Sequence, residues 1–126
     1  MSGERYLLDT NAVVALLRGD QLLERRLQNA DWVGISVLSE IEFLAFPNVG
    51  PQDRQALRQF AEMVEVIGLD HSSGALIDRV VSLRQQYKLK LPDAIIAGTA
   101  LEAGATLITE DAQLRKLSAV ATMGIH

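Results

Sequence analysis

The chain alternates short apolar runs with helical patterns from end to end, and that alternation constrains its fold more than any other feature. Residues 6–8, 32–35, 64–69, 106–109 and 119–123 read as strands, being short, apolar and bounded by turn residues. Helical patterns over residues 10–17, 36–46, 74–87 and 110–117 follow the first four. Residues 21–29, 52–63 and 92–103 supply further helices. Strands that alternate with helices must be joined by crossovers, which predicts a mostly parallel sheet with helices on both faces. The expected fold is α/β: a single three-layer α/β/α domain over residues 1–126, with about five strands. No repeat, low-complexity tract or linker interrupts it.

Turn chemistry places the breaks. Gly19 suits the end of the first helix and Asp20 the cap of the next. Ser36 suits a helix cap, and Pro47-Asn48-Val49-Gly50-Pro51 stops the helix that follows. Pro92 fits the first position of a helix, and Gly104 fits the residue after its end. The predicted inward faces are Leu22, Leu23 and Leu27, then Leu57, Phe60 and Ala61, then the stripe Leu76, Val80, Leu83 and Tyr87. In the third helix Val37, Ile41, Leu44 and Ala45 share one side. Phe43 and Phe46 fall near the opposite side, covered by the next helix or offered to a second subunit. The helix over residues 92–103 is apolar nearly all round, hence central. Trp32 reads as a core or rim packer rather than a platform for bases.

Composition narrows the function. With 48% hydrophobic residues and 3 prolines, the chain can build a core, and no apolar run approaches the ~20 residues that span a bilayer. The start, Met1-Ser2-Gly3-Glu4-Arg5, lacks the apolar stretch of a secretory signal. The absence of cysteine excludes disulfides, thiolate zinc sites and cysteine nucleophiles, and fits a cytoplasmic protein. A net charge of −4 disfavours broad polyanion binding. A nucleic acid would need a local basic surface, or metal ions that reverse the sign of an acidic pocket. Arg18, Arg84, Lys88, Lys90, Arg115 and Lys116 are the candidates for such a surface.

Acids follow the strands. Asp9 ends the first, an acid lies on the helix after the second, Asp93 opens the central helix, and Asp111 follows the strand over residues 106–109. A parallel sheet gathers strand ends and succeeding helix starts along one edge, where ligands bind in open α/β sheets. Carboxylates crowded there repel one another and call for a cation. Oxygen ligands without His or Cys suit Mg²⁺ or Mn²⁺. Each acid also has a structural reading as a turn former, cap or helix-start residue. Periodicity does not choose between Glu40 and Glu42, since both flank the apolar side of their helix.

Four segments carry a family resemblance: Leu7-Leu8-Asp9-Thr10-Asn11, Ile35-Ser36-Val37-Leu38-Ser39-Glu40-Ile41-Glu42-Phe43-Leu44, Leu91-Pro92-Asp93-Ala94-Ile95-Ile96-Ala97 and Leu107-Ile108-Thr109-Glu110-Asp111. In this order they resemble the PIN-domain ribonucleases, and most of all the small VapC-type toxins of VapBC toxin–antitoxin pairs. The family pattern counts from Ser36 and Ser39 to Glu42, leaving Glu40 an extra neighbour. The resemblance implies a catalytic quartet of Asp9, Glu42, Asp93 and Asp111, with Asn11 and Thr109 in support. It implies RNA hydrolysis with Mg²⁺ or Mn²⁺, leaving 5′-phosphate and 3′-hydroxyl ends. Asp9, Asp93 and Asp111 would ligate the ion, and Glu42 would act through water. Glu110 is not a usual family acid; it adds charge or faces solvent. His71 and His126 read as a helix-start residue and a frayed terminus.

The resemblance also implies an RNA substrate, a homodimer and a cognate antitoxin protein. The Phe43/Phe46 side and the helix over residues 52–63 are the expected contacts. Two other readings compete. One is a PIN-like module that binds RNA or protein without turnover. The other is a receiver-type signalling domain, which would phosphorylate Asp70 at the end of a middle strand; no lysine follows the strand over residues 106–109 until Lys116.

Overall fold

The computed structural model describes residues 3–126. Its order is β1 (Arg5–Leu8), α1 (Thr10–Leu17), α2 (Gln21–Gln28), β2 (Trp32–Ser36), α3 (Val37–Leu44), α4 (Pro51–Met63), β3 (Glu65–Ile67), α5 (Gly74–Tyr87), α6 (Leu91–Ala103), β4 (Thr106–Ile108), α7 (Ala112–Arg115) and β5 (Thr122–Met123). The five strands form one sheet in the order β3-β2-β1-β4-β5, and every neighbouring pair is parallel. The chain winds outward from β1 through β2 to β3, then returns to the other side of β1 for β4 and β5. The order therefore reverses between β1 and β4. At that reversal the crossovers leave in opposite directions and a crevice opens at the carboxyl ends of the strands.

Strand alternation sorts the core into two layers. Leu7 and Leu107 point to one face, against Leu76, Val80 and Leu83 of α5 and Ala94, Ala97 and Ala100 of α6. Tyr6, Leu8, Ile35 and Ile108 point to the other, against Val13 of α1, Leu23 of α2, Phe43 of α3 and Leu57 and Phe60 of α4. Five of the side chains that β1, β2 and β4 supply, Leu7, Leu8, Ile35, Leu107 and Ile108, are fully buried. Among the described residues no helix is long and apolar enough to cross a membrane.

Local chemistry sets the helix boundaries largely as expected. Asp20 caps α2 by accepting from the Leu23 amide, and Ser36 caps α3 by accepting from Leu38. Gly104 ends α6 in the left-handed region at φ 62°. That helix starts one residue earlier than predicted, so Pro92 is its second position. Trp32 packs at the rim: its ring lies across Gly34, where a Cβ would come within 2.3 Å of it, so only glycine leaves room.

Three expectations are corrected. In α3 the buried residues are Ser39 and Phe43; of the predicted side Leu44 packs against the core and Val37 is half-buried, while Ile41 and Ala45 face solvent. Apolar residues occur all round this eight-residue helix, so its wheel has no clear stripe, and packing against α1 and α6 chooses the face. Phe43 is accordingly buried in the core layer that holds Leu57 and Phe60 of α4, and of the two phenylalanines Phe46 is the accessible one. Leu22 also points outward, because Leu23 and Leu27 alone fill the space beneath α2. The terminus is not frayed. Ile125 is buried and its amide donates to Glu110 Oε1 at 2.5 Å, and His126 pairs with Asp20.

Candidate active site

Asp9 sits where β1 becomes α1, and its own amide extends the ladder to β4 by donating to the Ile108 carbonyl (3.2 Å). Its side chain caps α1, Oδ1 accepting from the Ala12 amide at 2.8 Å. A carboxylate in this place is only 7% exposed. Burial raises its pKa above the ordinary aspartate value; the Thr109 hydroxyl and the Ala12 amide pull it down, and the charges of Asp111 and Glu110 add to the rise.

Asp111 caps α7 at the end of β4, accepting from the Leu114 amide at 3.0 Å. Thr109 joins the two strand ends. It is fully buried, donates towards Asp9, and its Oγ1 accepts from the Asp111 amide at 3.0 Å. Asp93 lies in the first turn of α6. Its pKa is raised by burial first, then by the charges of Asp111 and Glu42, with Lys90 opposing. Glu42 comes from the far end of α3, and the Thr10 hydroxyl donates to its Oε1 at 2.5 Å. The four acids come from four crossovers yet feel one another's charge.

All four line one cavity of about 230 Å³, together with Thr10, Asn11, Phe46, Ile96 and Leu114. It opens at the carboxyl edge, at the β1/β4 reversal. Glu40 is not on its wall. Among the described residues no group of three acidic or histidine side chains stands ready to hold an ion by direct contact. The donor set is nevertheless all hard oxygen, which suits Mg²⁺ or Mn²⁺, and Mg²⁺ keeps several of its waters when one or two carboxylates bind it.

Other predicted residues have separate tasks. Glu110 ties down the chain end through Ile125 and pairs with Arg115 at 3.7 Å, while adding charge near Asp9. Arg84 donates to the Leu89 carbonyl at 3.2 Å and so braces the loop before α6. Lys90 is the basic group whose charge reaches Asp93, and Arg18 lines a neighbouring cavity. Asp70 accepts from the Ser72 amide and hydroxyl in an exposed turn after β3, an edge strand, which removes the middle-strand aspartate that a receiver needs. Four wall residues are not legible as site residues in the sequence: Thr10, Phe46, Ile96 and Leu114. Nothing local links Thr10 to a glutamate 32 positions away.

Comparison with known proteins places this geometry. The PIN domain family model matches residues 6–120, nearly the whole chain. A chain of a toxin–antitoxin complex from Klebsiella pneumoniae is 27% identical, covering 96% of this chain and 98% of that one, with a TM-score of 0.77. VapBC-1 from nontypeable Haemophilus influenzae gives 20% identity over 96% and 98% of the two chains, at 0.79. DNA-bound VapBC from Salmonella typhimurium gives 17% over 98% and 99%, at 0.77. The last two are too distant in sequence to speak for more than the fold. A search among curated proteins by sequence finds no match. With the family pattern running from β1 to beyond α7 and the acids standing at the edge where the sheet reverses, this chain belongs to the PIN domain family.

Proposed function

We propose that this protein is a VapC-type endoribonuclease, the toxin of a toxin–antitoxin pair, acting in the cytoplasm through Asp9, Glu42, Asp93 and Asp111. The observation that carries the reading is the convergence of four carboxylates from four crossovers on one cavity. No local structural need accounts for that. Caps explain Asp9 and Asp111 one at a time, but not why Glu42 and Asp93 should face them. A divalent Mg²⁺ or Mn²⁺ held there by Asp9, Asp93 and Asp111, partly through water, would offset their repulsion, neutralise a phosphate and acidify water. Thr109 keeps Asp9 and Asp111 in register for that task. Thr10 fixes one oxygen of Glu42, leaving Oε2 to take a proton from the attacking water and to aim it at phosphorus. Asn11, at the rim, is suited to a hydrogen bond with the substrate.

RNA would approach past Lys90, whose charge reaches Asp93, and Arg18 in the neighbouring cavity. Arg84 and Arg115 are less suited to it, because each already serves the fold. The antitoxin is assigned to the outer side of α4 and the groove it forms with α1 and α2, where Met63 is 79% exposed beside Leu27 and Phe60. A homodimer would use the apolar side chains left exposed on other elements, Ile41, Val81 and Leu91. One observation favours a second reading, a PIN module that binds without turnover: among the described residues no three acids stand ready around one ion. Cleavage of structured RNA with Mg²⁺ or Mn²⁺, wild type against Asp9→Asn, separates the two. The nuclease reading expects cleavage by wild type alone, abolished by EDTA. Equal cleavage by both proteins, or activity persisting in excess EDTA, rejects it.

A further inference from the structure

A second cavity, of about 350 Å³, adjoins the acidic one, and the two share Asn11 and Phe46 as walls. It lies between the outer side of α1, the turn after α3 and the start of α4. Its floor is apolar, from Val14, Leu17 and Val49. Phe46 is 42% exposed, and its ring tilts at 52° on the buried ring of Phe43, 6.3 Å away, which fixes it while leaving part of it open. Among the described residues Asn11 and Asn48 bring side-chain amides that make no hydrogen bond, and Arg18 brings a guanidinium that makes no ion pair. Asp53, by contrast, is committed to the Gly50 amide at 3.0 Å.

This inventory is that of a site for a flat heterocycle: an aromatic wall, an apolar floor and unspent donors and acceptors at the rim. We propose that the cavity is a nucleobase subsite, in which the base next to the scissile phosphate stacks on Phe46 while Asn11 and Asn48 read its edge. The proposal rests on the ribonuclease reading, since the acids must hold the phosphate to which that base belongs. Continuity through Asn11 and Phe46 is what favours a nucleotide over a peptide. A nucleotide whose phosphate lies at the acids must send its base to one side or the other, and this side has the room. Arg18, at the far rim, then meets the next phosphate along the strand. Amides that can read a base edge also make the cavity a source of base preference at the cleavage position.

The test uses single-stranded RNA oligonucleotides with mapped cleavage sites, cut in Mn²⁺ by wild type, Phe46→Leu, Phe46→Trp and Asp9→Asn. Phe46→Leu keeps apolar volume and removes the aromatic face. It is expected to raise KM roughly ten-fold, as loss of one base–aromatic stack should, with a smaller change in kcat and a weaker base preference beside the cut. Phe46→Trp is expected to restore both. Replacing the flanking nucleotide with an abasic one should erase the difference between wild type and Phe46→Leu. The subsite is overturned if Phe46→Leu cleaves intact RNA as wild type does, which would give the cavity to a protein partner. It is also overturned if the difference survives abasic replacement on both sides of the cut. Loss of cleavage in Asp9→Asn alongside an unaffected Phe46→Leu removes only the subsite; equal cleavage by Asp9→Asn and wild type removes the ribonuclease reading and the subsite together.

Discussion

At the amino ends of the strands, Arg5 lies 4.6 Å over the Trp32 ring and donates to the Ala103 carbonyl at 3.0 Å, while the indole N–H donates to Glu65 at 3.1 Å. At the carboxyl ends, four carboxylates share a cavity; hydroxyl and amide groups donate to Asp9, Glu42 and Asp111, and among the described residues none of the four has an ion pair. One edge spends its polar groups on the fold. The other holds like charges together at a cost that folding does not require. Unrelieved charge of that kind is where a protein keeps function, and stability is what it gives up.

Asp9→Asn should separate the two edges most widely. Cleavage should fall by a hundred-fold or more, about 2.7 kcal/mol of transition-state stabilisation, measured as kcat/KM on RNA. The same substitution should raise stability in metal-free buffer, because asparagine caps a helix as well as aspartate does. Burial holds the Asp9 carboxyl above its ordinary pKa in the folded chain. As pH rises past about 4, the unfolded chain releases that proton first, so the fold loses stability until its own carboxyl ionises and stays penalised above that point. Asp9→Asn should therefore gain on the order of 1 kcal/mol at pH 7 and nothing near pH 3, read by urea denaturation. Equal stability at both pH values would show that the carboxyl end carries no such cost.

The opposite edge should behave in reverse. Trp32→Ala, removing a half-buried ring with its cation–π and hydrogen-bond partners, should cost about 2 kcal/mol of stability and leave cleavage per folded molecule unchanged. Thr10→Val probes the carboxyl end more gently. It keeps the shape and releases Glu42, and should cost roughly ten-fold in kcat, about 1.4 kcal/mol, with little change in KM. Glu110→Gln is the smallest expected change, below about 0.5 kcal/mol, since the pair with Arg115 is exposed and an amide oxygen still accepts from Ile125.

What the sequence made legible follows from range. Strand–helix alternation is local information, and it was enough to place Asp9, Asp93 and Asp111 at one edge, because any parallel sheet collects its strand ends there. The reversal between β1 and β4 depends on pairing across a hundred residues, and no window of the chain carries it. Helix faces were readable where a stripe was long, as in α5 with Leu76, Val80 and Leu83, and unreadable in α3, where apolar residues occur all round. The choice of Glu42 over Glu40 came from family likeness rather than periodicity. The Thr10–Glu42 contact and the pinning of Ile125 by Glu110 join side chains that share no local pattern. The apolar character of Phe46 is plain in the sequence, but its place between two cavities depends on how α3 rolls against α1.

Sharing of one divalent cation by the four carboxylates is what the proposed chemistry requires. Crystals of the protein soaked in Mn²⁺ and measured at the manganese edge test it without reference to any substrate. An anomalous peak is expected inside the cavity, with Asp9 and at least one of Asp93 and Asp111 within direct or single-water reach, and no such peak in Asp9→Asn. A wild-type cavity without manganese at millimolar concentration, or a peak that persists unchanged in Asp9→Asn, would contradict it.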